Sequence, residues 1–255
     1  MNSYFYRIFI PLQVITLISL LGIFHEQVEF NPVLVLLTWF LIGPVGIGIG
    51  FHKLFSHCQF QTYRPIKYTL AILGTLAAYC PLSFFIVNHT YHHKHADTDL
   101  DPSTPKKGLW ESFMMWRMRN SALKQVDLKS YPFKVFLKDP VLKFISRNFE
   151  YIVLTYAVLM LIIGIEYFVN CFILPVAIEH FRINAVSSFS HLPLPGSYKN
   201  FQTKDEGYNN FFLGLITMGF GWHNNHHYDQ RQINNRVRWW ELDIEGLLAK
   251  AISKK

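Results

Sequence analysis

Charge is scarce in this chain. Asp, Glu, Lys and Arg make up 16% of its 255 residues and hydrophobic residues 51%, whereas charged residues are about a quarter of an ordinary soluble domain. That composition argues against a soluble domain and points to a protein of the lipid bilayer; the 23 Phe and 13 Tyr suit lipid contact and interface anchoring. Cysteine is sparse too. Cys58, Cys80 and Cys171 form no C-x-x-C pair, which argues against a disulfide framework, a zinc ribbon and a thioredoxin-type motif. The chain also lacks a haem-attachment C-x-x-C-H, an iron–sulfur cysteine pattern and a nucleotide-binding glycine fingerprint, so electrons for any redox chemistry have to come from a separate protein. No Lys/Arg-rich start and no small-residue cleavage site accompany the first apolar run, which reads as a retained signal anchor.

What the chain does have is long apolar runs. Four are long enough to cross a bilayer, which takes roughly 17–25 residues: about Phe5–Phe24, Val33–Phe51, Phe149–Phe168 and Cys171–Phe189. The link "HEQVEFNP" joins the first two, and little more than Asn170 joins the last two. The expected architecture is a single all-α integral-membrane domain over 1–255. It has four transmembrane helices as two hairpins, with a cytosolic helical cap from 52–148 and 190–255. A fifth apolar run, Tyr68–Val87, is read as an interfacial helix interrupted near Pro81, because a crossing there would put His52 and His57 on the opposite side of the membrane from His89, His92 and His93. Of 24 Lys+Arg, 14 fall in 52–148 and eight follow from Lys199, while "HEQVEFNP" has none. By the positive-inside rule both termini and the cap face the cytoplasm. The formal net charge of +7 suits anionic headgroups or the phosphates of an acyl carrier, and no nucleic-acid partner is expected.

Histidine is clustered. "HKLFSH" carries His52 and His57, "HTYHH" carries His89, His92 and His93, and "HNNHH" carries His223, His226 and His227. Positions i, i+3 and i+4 of a helix share a face, so each H-x-x-H-H box is expected to present three ring nitrogens to one spot. His52 and His57 are five apart and need a wide turn or a helix end between them. Neutral imidazole is the commonest protein metal ligand. An all-imidazole set suits iron, copper, zinc or nickel rather than magnesium or calcium. Eight ligands exceed the four of a usual zinc site, so two metals are the economical reading. The Glu-x-x-His pairs of soluble di-iron bundles are absent. His25, His95 and His180 are read as polar or interfacial residues, His180 as an ion-pair member beside Glu179 and Arg182. Asp97, Asp99, Asp101, Asn224, Asn225 and Asp229 are candidates to orient the imidazoles, and Phe84 and Phe85 are candidates to line an apolar channel.

The three boxes, in this order between hydrophobic hairpins, resemble those of the membrane fatty-acid desaturases, most of all the acyl-CoA Δ9 (stearoyl-CoA) type. The blocks "FHKLFSHCQFQT", "NHTYHHKHADTDLDPSTPKKGLW" and "GWHNNHHYDQ" carry the likeness, which covers about Gly43 to Ile244. The resemblance implies two Fe ions held by nine histidines. His191, in "NAVSSFSHLPLPG", takes the ninth place. It also implies O2 as co-substrate, a fatty acyl substrate carried on CoA, acyl-carrier protein or lipid, and a separate electron donor of ferredoxin or cytochrome b5 type. Dioxygen is reduced to water while two neighbouring methylenes lose hydrogen and form a cis double bond. Two departures stand out. Phe220 replaces the family's Glu before the third box. Ser187 replaces an Asn that positions a metal-bound water, a role the resemblance passes to Ser187. A hydroxylase, acetylenase or alkane-type monooxygenase shares the same ligands, and a His-rich membrane metal transporter is the reading from another class.

Overall fold

The computed structural model describes residues 10–24, 27–116 and 130–254; Phe5–Phe9 of the first expected span, and His25, lie outside these. Nearly all ordered structure is helical. Helix α1 is Ile10–Phe24. Helix α2 is Pro32–Ser56, opened by Asn31, whose side chain accepts from the Leu34 N–H, and by Pro32 in the first turn. Helices α3 (Arg64–Leu76) and α4 (Leu82–His95) follow, then α5 (Tyr131–Leu137), α6 (Pro140–Arg147) and α7 (Phe149–Ile163). Helix α8 is Ile165–Phe189. The C-terminal part holds a two-residue hairpin ladder, β1 (Ser197–Tyr198) with β2 (Asn209–Asn210), and the helices α9 (Phe211–Ile216), α10 (His223–Tyr228) and α11 (Ile244–Ile252).

Among the described residues, α2 and α8 are each long and apolar enough to cross a membrane. Helices α6 and α7, bent by 64° at Asn148, qualify together as a third, and Ile10–Ile23 is apolar but shorter. One expected boundary moves. The third and fourth runs part at Gly164, in extended backbone, not at Asn170. Asn170 is buried inside α8; its Oδ1 accepts from the Asn31 N–H at 2.8 Å, and its Nδ2 donates to the carbonyls of Glu29 (2.8 Å) and Glu166 (2.7 Å). A polar residue whose side chain is fully partnered costs a helix little, so it does not mark the link. The run 68–87, expected to be interrupted near Pro81, is two helices, α3 and α4. They part at 77–81, where Ala78 has positive φ and Pro81 precedes the first turn of α4.

Helix α2 is wound with i→i+5 hydrogen bonds from Leu41 to Ser56, through Pro44. Such π turns accommodate a residue that cannot donate. The backbones of α2 and α3 touch where they cross: a Cβ on Gly46 would lie 2.5 Å from the Gly74 nitrogen. Gly46→Ala should therefore destabilise the protein by about 1–3 kcal/mol through overpacking, read as a lower thermal midpoint in detergent. Gly22→Ala, whose Cβ meets only Val28 at 3.4 Å, should leave the midpoint unchanged or slightly raised.

Candidate metal centre

Nine histidines converge into two groups, His52, His57, His89, His93 and His226 in the first, and His92, His191, His223 and His227 in the second; within each, one ring nitrogen per residue lies within 4.8 Å of the others. Four elements deliver them. The π winding of α2 brings His52 and His57 to one side: the His57 N–H donates to the His52 carbonyl at 3.1 Å, so the five-residue spacing is one wide turn. Helix α4 carries His89, His92 and His93, the end of α8 leads into His191, and α10 carries His223, His226 and His227.

Each H-x-x-H-H box is divided between the groups, which corrects the expectation of one spot per box. The helical angle explains it. At about 100° per residue, i+4 lies about 40° to one side of i and i+3 about 60° to the other. His89 and His93 therefore face the first group and His92 the second. On α10 the assignment is reversed: His223 and His227 face the second group and His226 the first.

The donor atoms are arranged as a metal requires. In the first group the Nε2 atoms pair at 3.0 Å (His52–His226), 2.7 Å (His57–His89), 3.0 Å (His89–His93) and 3.0 Å (His93–His226), and in the second at 2.9 Å (His191–His223). Donors ~2.1 Å from one ion at right angles stand ~3.0 Å apart. Buried His92 Nε2 and His227 Nε2 have no hydrogen-bond partner among the described residues, the state expected of ligand lone pairs. Such an all-imidazole set fits a first-row transition ion.

Three carboxylates set the second group's tautomers. Asp97 Oδ2 accepts from His191 Nδ1 at 2.7 Å, Asp101 Oδ2 from His92 Nδ1 at 3.0 Å, and Asp205 Oδ2 from His227 Nδ1 at 3.0 Å. A proton held on Nδ1 leaves the Nε2 lone pair free. The carboxylates are themselves anchored: Asp97 by the Glu206 N–H (2.8 Å) and Thr104, Asp101 by the N–H and hydroxyl of Ser103, and Asp205 by the Gly207 N–H and Thr203. The first group has no such carboxylate among the described residues. Asp205 was not among the sequence candidates, because nothing in "TKDEGYNN" marks it. Among the described residues Asp99 and Asp229 touch no imidazole; Asp229 Oδ1 accepts from the Arg231 N–H. Asn224 holds the backbone of 200–201 and 207, and Asn225 bonds Asn209 and Glu241. His95 rests on the Tyr91 ring, and His180 Nε2 lies 3.2 Å from the Ala77 carbonyl. Arg182 is bound to Glu179 at 2.8 and 2.9 Å and to Glu245 at 2.7 Å.

Burial keeps most of these imidazoles neutral. Desolvation, then Lys53, lowers His57 to about 3. Desolvation also lowers His227 to about 4, against the pull of Asp205, and holds His89, His93, His223 and His226 well below the usual range. His92 is the exception: burial depresses it, but Asp101 outweighs burial and raises it. Between about pH 6.5 and pH 4 the unfolded chain takes up protons that the folded site refuses, so stability falls as pH falls, and protons compete with the metal for the same nitrogens. His92 acts in the opposite sense, one group against several. The thermal midpoint and the bound metal should both decline from pH 7 to pH 5, followed by melting curves and metal analysis across that range.

An apolar pocket lies against the histidines. Phe84, Phe85, Ile183 and Val186 wall it, and His89, His92 and His223 reach it. Phe220 also lines it, packed edge-on to His52 at 4.9 Å with the Arg182 guanidinium 5.0 Å from its ring. Ser187 faces the same pocket, and its hydroxyl donates to the Asn184 carbonyl at 3.2 Å. Two imidazole groups, each able to hold a metal ion, beside an apolar pocket suit oxidation of an unactivated hydrocarbon.

The sequence pattern of a family described as "Fatty acid desaturase" matches residues 31–245. The chain is 32% identical over 219 residues to the "sn-1 stearoyl-lipid 9-desaturase" of Anabaena variabilis, covering 85% of this chain and 78% of that one. It is 32% identical over 237 residues to the "sn-2 palmitoyl-lipid 9-desaturase" of Nostoc sp. (strain 36), covering 88% and 81%, and 26% identical over 217 residues to "Delta-9 acyl-lipid desaturase 1" of Arabidopsis thaliana, covering 85% and 70%. This chain belongs to the fatty acid desaturase family and is a desaturase enzyme of the Δ9-like branch.

Proposed function

We propose that the protein is an oxygen-dependent di-iron desaturase that places a cis double bond at the ninth carbon of a fatty acyl chain carried on a membrane lipid. One observation carries the chemistry: the two groups of Nε2 atoms spaced ~3 Å apart beside an apolar pocket. The relatives named as lipid 9-desaturases support the carrier and the position. His52, His57, His89, His93 and His226 would hold one iron and His92, His191, His223 and His227 the other. When bound, the irons supply the reduction of dioxygen that removes two hydrogens from neighbouring methylenes. The protein's own part is to hold the chain, exclude water and fix the imidazoles. Phe84, Phe85 and Ile183 grip the chain, and Asp97, Asp101 and Asp205 keep a proton on Nδ1 of their histidines. Two electrons come from a separate ferredoxin- or cytochrome b5-type donor. Four spans in two hairpins, with both termini and the metal centre cytoplasmic, agree with the Lys/Arg distribution.

Expression in a host without desaturases, followed by gas chromatography–mass spectrometry of its lipids, tests the proposal. Loss of two hydrogens with the new bond at carbon nine is the expected result. Gain of one oxygen instead identifies a hydroxylase on the same ligands, which differs only in how the chain is held.

One part of the pocket's lining is polar beneath its surface. Ile183 lies two helical turns before His191, and next to it Tyr79, a lining residue, is bound through its hydroxyl to Asn184 Oδ1 at 3.1 Å. Tyr79→Ala should shift the product profile toward longer chains, and Tyr79→Phe, which keeps the volume, should leave it in place; chain-length analysis of products from mixed acyl lipids separates the two.

A further inference from the structure

The C-terminal part, polar by composition, contains a stretch with no charge: from Gly207 to Trp222 no Asp, Glu, Lys or Arg occurs. Helix α9 lies in it. Its Leu213 and Gly214 are buried, while Phe211 (39%), Phe212 (61%), Leu215 (42%) and Ile216 (64%) are exposed. The exposed positions recur at i, i+1, i+4 and i+5, one face of a helix. A helix on a soluble surface turns that face polar; here it is wholly apolar.

The depth of α9 is set by a contact with α8. The Thr217 carbonyl, just past α9, accepts from Arg182 Nη1 at 3.2 Å. Arg182 is 17 residues beyond Ile165, the first residue of α8; at 1.5 Å per residue that is ~26 Å along the helix, close to the far edge of a hydrocarbon core ~30 Å thick. The neighbouring segment is tied to the same level: the Glu245 N–H donates to the Met218 carbonyl at 3.2 Å, and Trp222 Nε1 donates to the Leu242 carbonyl at 2.9 Å. Beside it Leu242 (46%) and Trp239 (80%) are exposed, with Arg236 bonded to the Trp239 carbonyl. Exposed Trp and Arg beside apolar side chains are the composition of a membrane–water interface.

We infer that α9 is a monotopic anchor: its Phe212–Leu215–Ile216 face is sunk into the headgroup–acyl boundary of the bilayer, on the membrane side that carries the histidines. The occupant of this face is lipid, and the third histidine box, which begins seven residues after Ile216, is held at a set height by it. This inference needs only α8 to span the membrane and stands apart from the reaction catalysed.

The test uses the full-length protein in phosphatidylcholine–phosphatidylglycerol nanodiscs. Phe212→Cys and Ile216→Cys are labelled with bimane, and the unsubstituted protein, labelled in parallel, serves as the blank for Cys58, Cys80 and Cys171. Lipids brominated on the acyl chain should quench both labels, and aqueous iodide should leave both bright. The reverse pattern, iodide quenching without bromolipid quenching, overturns the inference. So does iodide quenching that disappears only when an electron-donor protein is added, which would make the face a protein-docking surface. If a cysteine variant misfolds, iodide quenching of Leu215→Cys, on the same face, gives the same decision.

Discussion

His93→Ala and His223→Ala should each lower the bound iron from about two ions per chain to about one, the ligand count of two first-row sites, and each should abolish desaturation. The two residues belong to different groups, so the double variant should hold no iron. His89→Ala combined with His93→Ala should still hold about one, because both serve the first group. A second pair, His89→Ala with His92→Ala, separates the divided boxes from the simpler arrangement. If each box served one ion, His89→Ala and His92→Ala would remove the same iron and their combination would cost nothing further. With the boxes divided, that combination empties both sites. Variants that share a partner are not additive and variants at separate sites are, so iron content measured on single and double variants reads the assignment directly. Two irons retained in His93→Ala, or zinc or copper in place of iron with activity intact, would refute it.

Asp101→Ala and Asp205→Ala should each lower turnover or iron affinity by about 10–100-fold, the usual cost of losing a group that orients a ligating imidazole. Each carboxylate is the acceptor for one Nδ1–H, His92 and His227 respectively. Without it the proton can move to Nε2, where it blocks the metal. Because these carboxylates serve only the second group, chelator treatment of either variant should release one iron quickly and the other at the wild-type rate. Asp99→Ala and Asp229→Ala, whose side chains touch no imidazole, should behave as wild type in both measurements. Equal, wild-type release from all four variants would assign Asp101 and Asp205 to loop structure alone.

The candidate site was legible to different depths in different residues. The identity of the histidines needed only their spacing, because i, i+3 and i+4 neighbours are a local property of a helix. Asp97 and Asp101 were within reach because they follow the second box on the same short loop. Asp205 was not: it comes from a loop 22 residues before its histidine, and a carboxylate between Lys204 and Glu206 looks like solvated surface. The charge-free stretch at 207–222 was visible, but its exposure was not, since an apolar run reads the same whether it faces a core or a bilayer. The misplaced link at Asn170 has a similar cause, because its partners, Asn31 and Glu29, lie about 140 residues away.

The sequence by itself determined that this is a helical, bilayer-associated chain, that its imidazoles come in three boxes, and that the boxes are those of the desaturase family. Periodicity and composition act over a few residues, and such features survive without knowledge of the partner. Only the tertiary structure decided how the nine histidines divide into five and four, that one group is braced by Asp97, Asp101 and Asp205 and the other is not among the described residues, and that Phe220 fills the space between His52 and Arg182. Those outcomes depend on the angle at which α2, α4, α8 and α10 meet. The crossing of α2 and α8 is fixed by contacts such as Gly43 against the Glu179 carboxylate and the hydrogen bond that Trp39 Nε1 donates to Glu179 Oε2 at 3.1 Å, pairings between residues far apart in the chain that no local pattern encodes.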